Sequence, residues 1–368
     1  MVEVKAPGKL MLAGEWSVLE VGNPCIVMAV DKYVKAIAEE SESSVINAKD
    51  LGIENKEAEF DGKELKFKEE LSEEEKEKIV MAKNSVEITL RYLQEAGVET
   101  KKFNISTHSE ITSITLKDGT SAKVGFGSSA AAVVAIISAV LKLHNQDIDS
   151  LEAKAKIYKL GCTAHFIGQG KVGSSFDVAA STYGGAIVYK RFDPKWLVEQ
   201  IESGKQIKEI VEERWEAFEA TPIKLPEDFV LNVGFVGYGA STKALVVKMR
   251  DFKASDPEKY NEIYASISKV VNELIEAINQ SDKEKIKQLL AENRELLKQL
   301  AKESGNNLET KELTELIEAA NALGAAAKFS GAGAGDCGIA ICFDNETAEK
   351  VKATWEEKGI YPIAVNIA

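Results

Sequence analysis

Lys123-Val-Gly-Phe-Gly-Ser-Ser-Ala-Ala-Ala132, followed by the apolar run 133–141, decides how this 368-residue chain is organised. Gly125 and Gly127 can adopt backbone angles closed to other residues, and Ser128 then opens a helix whose first N–H groups lack intrahelical partners. Such an end attracts anions. Free N–H groups, the positive end of the helix dipole and the hydroxyls of Ser128 and Ser129 make a cradle for phosphate, with one hydroxyl placed for Mg²⁺ beside it. The same residues also suit a helix packed tightly on its neighbours, where Gly and Ala only permit close approach. A Walker A loop is excluded, because the Gly-Lys-Ser/Thr ending is absent and the helix has no basic residue before Lys142.

Around this stretch the composition is that of a globular protein, with 45% hydrophobic residues and a length that points to two domains. Lys and Arg number 46 against 59 Asp and Glu, a net charge of −13. That balance argues against a nucleic-acid or anionic-membrane surface, and it makes any polyanionic ligand depend on a local basic pocket. The longest apolar run, 130–141, is broken only by Ser138 and is too short to span a bilayer. No basic-then-apolar leader precedes Val2, so a cytoplasmic setting is expected. Cys25, Cys162, Cys337 and Cys342 stand at no metal spacing and are expected as small buried thiols. His108, His144 and His165 are scattered, and nothing suggests zinc or Ser-His-Asp chemistry.

Strands are expected over 2–30, broken at Pro7-Gly8 and at Gly22-Asn23-Pro24, and over 33–39. Asp61-Gly62 marks a hairpin between 58–60 and 65–67, and Ser72 with Glu75 forms a capping box that opens a helix towards Gly97. Strands over 103–108 and 111–116 lead through the Asp118-Gly119 turn to the glycine loop. A helix over 150–167 and a strand over 186–189 complete the first half. The charged stretch 193–226 reads as a connection, with an amphipathic piece at 205–218. Beyond it come a strand over 229–236, a helix after Ser241, helices over 257–278, 282–303 and 310–323, strands over 325–329 and 338–343, a helix over 347–358 and a strand over 360–367. Without the extra helices this is β-α-β-β-α-β, the split βαβ pattern.

Two further segments accompany the glycine loop: Lys5-Ala-Pro-Gly-Lys9-Leu-Met-Leu-Ala-Gly14-Glu15, and Ser330-Gly-Ala-Gly-Ala-Gly335-Asp336-Cys337. In this order the three resemble the motifs of the GHMP kinase superfamily over nearly the whole chain. Gly168-Gln-Gly170-Lys171-Val-Gly173-Ser174-Ser175-Phe-Asp177-Val-Ala-Ala-Ser181 is especially similar to phosphomevalonate kinases. Gly234-Phe-Val-Gly-Tyr-Gly-Ala240-Ser241-Thr242-Lys243 resembles their Ser-Ala-Ser-Thr region. The resemblance implies an α+β fold: a ribosomal-S5-like, ATP-binding domain over 1–192, a connection over 193–226 and a ferredoxin-like domain over 227–368.

It also implies roles. Lys9 and Asp177 become catalytic residues. Asn84, Lys123, Gly125, Gly127, Ser128, Ser129 and Ala130 line the nucleotide, with Ser129 a ligand for Mg²⁺. Lys171, Ser174, Ser175, Ser241, Thr242, Gly331, Ala332 and Gly333 face the acceptor. Read from the residues alone, Lys9 is an exposed strand-edge lysine, and Lys83-Asn84-Ser85 an exposed polar stretch of helix. Asp177 could ligate Mg²⁺, take a proton, fix a lysine or stabilise a helix N-terminus. Glu15 could hold the first strand or its lysine.

The acceptor decides which role Asp177 needs. An alcohol must lose a proton and calls for a base, whereas a phosphate monoester, with a second pKa of about 6, is already dianionic near neutrality. Mevalonate kinases carry a metal-binding glutamate on the helix before this aspartate, and here 165–169 has no carboxylate. The expected reaction is therefore ATP-dependent phosphorylation of phosphomevalonate to diphosphomevalonate, by a monomer or homodimer. Its rivals are a kinase for mevalonate or another small alcohol, a decarboxylase of the same fold, and a non-catalytic metabolite-binding relative. A dinucleotide-binding oxidoreductase fits poorly, since Gly331 to Gly335 lacks the Gly-x-Gly-x-x-Gly spacing.

Overall fold

The computed structural model describes residues 1–110, 113–170, 173–239 and 242–368. Among them the first half runs β1 (Val2–Ala13), β2 (Pro24–Glu40), β3 (Ser44–Ala48), β4 (Ile53–Phe60), β5 (Leu65–Phe67), α1 (Glu73–Glu95), β6 (Phe103–Ser109), β7 (Ile114–Thr115), β8 (Ser121–Ala122), α2 (Ser128–Leu143), α3 (Leu151–Gln169), α4 (Phe176–Tyr183) and β9 (Ala186–Lys190). The second half runs α5 (Pro194–Glu202), α6 (Ile207–Glu212), β10 (Glu219–Pro222), β11 (Val230–Phe235), α7 (Thr242–Ser255), α8 (Pro257–Asn279), α9 (Lys283–Ser304), α10 (Lys311–Asn321), β12 (Ala326–Phe329), β13 (Cys337–Cys342), α11 (Asn345–Glu357) and β14 (Tyr361–Ile363).

An eight-stranded sheet carries the first domain in the order β10-β9-β2-β6-β3-β4-β5, with β1 paired to β2. β1 does not break at Pro7-Gly8 as expected. The register slips there, from Pro7 opposite Tyr33 to Gly8 opposite Val30, and because β1 pairs only with β2 the proline's missing N–H is tolerated. β3, a short and half-polar strand that periodicity missed, lies parallel to β6. Of the strand expected over 111–116, Ile114–Thr115 forms a small hairpin with β8 around Asp118-Gly119, and residues 111 and 112 lie outside the described ones. α2 packs against β1 and β2 on one side and against α1, α3 and α4 on the others. Almost every side chain after its first turn is buried, which is why its sequence is apolar all round.

The second sheet has the order β12-β13-β11-β14, with every pairing antiparallel, as a β-α-β-β-α-β chain requires when its first and third strands sit centrally. Strand alternation divides its residues between two cores: Ile339 and Ile341 join the main core, while Ala340 and Cys342 pack with Leu316, Val351 and Trp355 of α10 and α11. The fold is α+β in two domains.

Two expectations change. The stretch 193–226 is more than a connection, because β10 pairs with β9 and extends the first sheet. The strand expected over 360–367 stops at Ile363, and the chain then returns to the first domain. There the Asn366 N–H donates to Asp31 Oδ1 at 2.8 Å, the Ala368 N–H donates to the Ala29 carbonyl at 3.0 Å, and Ile367 bridges Val30. All four cysteines are buried and unpaired; burial pushes the Cys162 thiol up to about 12 and Cys342 to about 11. No helix among the described residues is long and apolar enough to cross a membrane.

Candidate active site

Helix starts in this molecule are mostly capped by their own sequence. Ser72, Ser150, Asp193, Asp256, Asp282, Thr310 and Asp344 each accept a hydrogen bond from a first-turn N–H of α1, α3, α5, α8, α9, α10 or α11. α2 and α4 start differently. Their N-caps, Gly127 at φ 77° and Ser175 at φ 61°, supply no side-chain bond, as is also true of Gln206 before the short α6; the first N–H groups of α2 keep their capacity for an anion, and those of α4 do so apart from that of Val178, which Asp177 occupies.

Lys9 stands between these two ends. Its Nζ donates to the Gly125 carbonyl at 2.7 Å and lies 6.0 Å from the centre of the Phe176 ring, at the first residue of α4. Its backbone N–H donates to the Phe126 carbonyl at 2.8 Å. Gly127 leaves room for the lysine stem: a Cβ there would come within 3.1 Å of Lys9 Cε. Gly125 is needed for a different reason from the one expected. It has no left-handed φ; instead a Cβ would fall 1.6 Å from Asp336 Oδ2. Close approach, not backbone freedom, excludes a side chain at Gly125.

Ser128 is half-buried and Ser129 exposed at the start of α2, while the Ala130 side chain is buried and offers the site only its backbone. Lys123 has an exposed side chain, and its carbonyl is 3.8 Å from where a Cβ on Gly239 would lie, so Gly239 stands beside the start of the glycine loop. Thr242 itself is exposed at the start of α7. Asp177 is half-buried in the first turn of α4, where Oδ1 accepts from the Val178 N–H at 3.0 Å. Among the described residues no ion pair joins Asp177 to Lys9, whose ammonium is oriented by the Gly125 carbonyl. The Ser174 carbonyl accepts from the Tyr189 hydroxyl at 2.7 Å, and Ser175 is buried. Lys171 and Ser241 lie outside the described residues.

The reading of Lys83-Asn84-Ser85 as exposed polar residues is overturned. Asn84 is 5% exposed and Ser85 fully buried. Asn84 faces the end of α3, where a Cβ on Gly168 would be 2.9 Å from its Nδ2; Lys83 is half-buried and pairs with the buried Glu87 at 2.8 Å. α1 packs against α2 and α3, and that packing carries Asn84 and Ser85 inward.

From the second domain, the glycine loop 331–336 closes on the first. Ser330 Oγ accepts from the Met11 N–H at 2.9 Å and donates to the Met11 carbonyl at 3.0 Å. The Trp16 indole N–H donates to the Ala332 carbonyl at 3.3 Å. Gly331, Gly333, Ala334, Gly335 and Asp336 all have positive φ, and a Cβ on Gly333 would lie 2.4 Å from the Leu308 carbonyl oxygen. Behind the loop Glu15 and Lys328 form a buried ion pair, with Lys328 Nζ also donating to the Phe329 carbonyl at 2.7 Å. Burial raises the Glu15 carboxyl above its ordinary range and lowers the Lys328 ammonium, each against the attraction of the other. Glu15 thus holds the second domain, not Lys9. Sequence reading missed Lys328, Trp16 and Asp336; for Asp336 a signal existed, since it is the one carboxylate in the segment from Ser330 to Cys337.

No three His, Cys, Asp or Glu among the described residues form a cluster that could hold a metal ion. The groups that could serve are the hydroxyls of Ser128 and Ser129 and the carboxylate of Asp177, since the Asp336 carboxylate at the same loop is already engaged by the Gly125 N–H. Mg²⁺ keeps several waters and takes one or two protein ligands beside substrate phosphates, so this donor set fits it.

The chain that builds this arrangement is similar to known proteins over both domains. The GHMP kinase N-terminal domain model matches residues 82–185 and the GHMP kinase C-terminal model matches 274–360. Phosphomevalonate kinase of Streptomyces sp. strain CL190 is 29% identical over 372 residues, covering 99% of this chain and 96% of the relative. Mevalonate kinase of Thermococcus gammatolerans is 30% identical, covering 94% and 90%. The structure of Streptococcus pneumoniae phosphomevalonate kinase in complex with phosphomevalonate and AMPPNP superposes with a TM-score of 0.83 at 25% identity, with 100% of each chain covered. With both domains matched in order and the motifs gathered at one site, the chain belongs to the GHMP kinase family and is a kinase.

Proposed function

We propose that this kinase transfers the terminal phosphoryl group of ATP to the phosphate of (R)-5-phosphomevalonate, giving 5-diphosphomevalonate. The observation that carries the reading is the scarcity of carboxylates free to act as a base: from Gly161 to Phe192, Asp177 is the single one and its Oδ1 is engaged by its own helix, while Asp336, the carboxylate at the glycine loop, is held by the Gly125 N–H. A phosphate acceptor is already dianionic near neutrality and needs no base. Its difficulty is repulsion from the nucleotide, which Lys9, Lys171 and the open N–H groups of α2 and α4 would relieve. The nucleotide phosphates would rest on Gly125 to Ala130, with Lys123 and Asn84 further along the nucleotide. The acceptor would meet Ser174, Ser175, Ser241, Thr242 and the loop Gly331 to Gly333. Ser129, with Asp177 as an alternative ligand, would hold Mg²⁺, which supplies charge neutralisation between the phosphates.

Mevalonate is the second reading, supported by the similarity to archaeal mevalonate kinases over most of the chain. ADP release with ATP and Mg²⁺ on phosphomevalonate, mevalonate, homoserine and galactose separates the two. Saturable turnover is expected with phosphomevalonate and little with mevalonate, and the opposite preference rejects the assignment. In a protein of net charge −13 the acceptor's apparent affinity should also fall with added salt, because its contacts are local and partly screened.

A further inference from the structure

We propose that Asp336 is a positioning residue through which the second domain sets the phosphate loop and, with it, Lys9. This rests on the reading of Lys9 as the cation at the transferred phosphoryl group. Both ends of one peptide unit's neighbourhood are engaged at Gly125: its N–H donates to Asp336 Oδ1 at 2.9 Å, and its carbonyl accepts from Lys9 Nζ at 2.7 Å. Asp336 comes from 211 residues further along the chain, on the loop that closes from the other domain. Its approach is so close that only a glycine fits opposite, since a Cβ on Gly125 would lie 1.6 Å from Oδ2.

The backbone that carries the carboxylate is itself fixed. Asp336 has φ 68°, its N–H donates to the Tyr238 carbonyl at 2.8 Å, and its carbonyl accepts from the Val236 N–H at 3.0 Å. The buried Cys337 thiol donates to Oδ1 at 3.5 Å, and the charges of both Asp336 and Lys9 are felt at that sulfur. A carboxylate held this way against a backbone N–H forms a charge-assisted hydrogen bond, stronger and shorter than a neutral one. The chain Asp336, Gly125, Lys9 therefore makes seating of the second domain's loop and aiming of the lysine one event. Lys9 is then placed when the two domains meet, and not by Asp177.

Asp336→Ala and Asp336→Asn test this in the full chain, with the Lys9→Met and Lys9→Met/Asp336→Ala variants. Hydrogen exchange at the Gly125 amide reads the contact directly and needs no turnover. Kinetics use ATP and Mg²⁺ with phosphomevalonate and mevalonate offered in parallel. In Asp336→Ala the amide should exchange about tenfold faster or more, and kcat should fall by a similar factor, the size of one lost charge-assisted hydrogen bond. Asp336→Asn keeps an acceptor oxygen, so it should keep the protection and most of kcat. On the Lys9→Met background, Asp336→Ala should change kcat by less than about twofold, because residues acting as a unit are not additive. Unchanged exchange in Asp336→Ala, or losses that multiply fully with Lys9→Met, would overturn the proposal. Wild-type kcat in Lys9→Met would instead defeat the reading of the site, and wild-type turnover on mevalonate alone would defeat only the choice of acceptor.

Discussion

Lys9 is oriented by groups that lie far from it in sequence, and its expected role follows from that setting. With its ammonium on the Gly125 carbonyl and near the start of α4, it can approach charge developing between two phosphates without moving its backbone. Lys9→Met should therefore cost about 10²–10³ in kcat with a small change in acceptor KM, measured at saturating ATP. Asp177→Asn distinguishes a base from a charge that only assists. With phosphomevalonate the residual rate should stay nearly flat from pH 6.5 upward, since no proton must leave an already dianionic acceptor. A residual rate that climbs tenfold per pH unit would identify Asp177 as the base. Gly127→Val meets two obstacles at once: φ of 77° is costly for a β-branched residue, and its Cβ presses on the stem of Lys9. Calorimetry should show weakened ATP binding, and kinetics should show a kcat defect beyond it. An unchanged affinity in a folded variant would mean that the loop serves packing alone.

At the scale of elements, the pair Glu15–Lys328 joins the end of β1 to β12 at a place with almost no access to water. Removing one partner leaves the other ion buried without its counter-charge. Lys328→Met or Glu15→Gln should each destabilise the protein by about 3–5 kcal/mol in urea unfolding, with the double variant losing less than the sum. Single variants within about 0.5 kcal/mol of wild type would show that the pair is dispensable. The pair also explains a detail of sequence. Lys328 sits in a strand whose neighbours are all apolar, a pattern that reads as a central strand and gives no hint that the lysine meets Glu15, 313 residues earlier.

For the whole molecule, the two sheets are interlocked more than their order along the chain suggests. β10 extends the first sheet after α5 and α6, and the chain beyond β14 returns to β2 through Asn366, Ile367 and Ala368. The main core includes residues of both domains, from Leu10 and Val27 to Phe235 and Phe329. Thermal unfolding followed by calorimetry should show a single transition, and removing residues 364–368 should lower its midpoint by several degrees without splitting it. Two resolved transitions in the full chain would show that the domains unfold independently.

Local events follow from the order of residues alone. The Ser72–Glu75 capping box, the Asp118-Gly119 turn, the apolar helix behind Ser128 and the β-α-β-β-α-β order of the second half all follow from neighbours within a few residues, where propensity and periodicity act. The three glycine-containing segments were legible as one site through their resemblance to the GHMP kinase motifs; the residues of the loop alone left tight helix packing equally open. Which residue meets which is set by long-range packing. That Gly125 is a glycine because of Asp336, that Lys9 rests on Gly125 and not on Asp177, that Asn84 is buried against Gly168, and that Glu15 pairs with Lys328 all depend on contacts between segments far apart in sequence. Such contacts are set by how the two domains' cores pack together, and a carboxylate or a lysine looks the same in a sequence whether its partner lies in water or across a domain boundary.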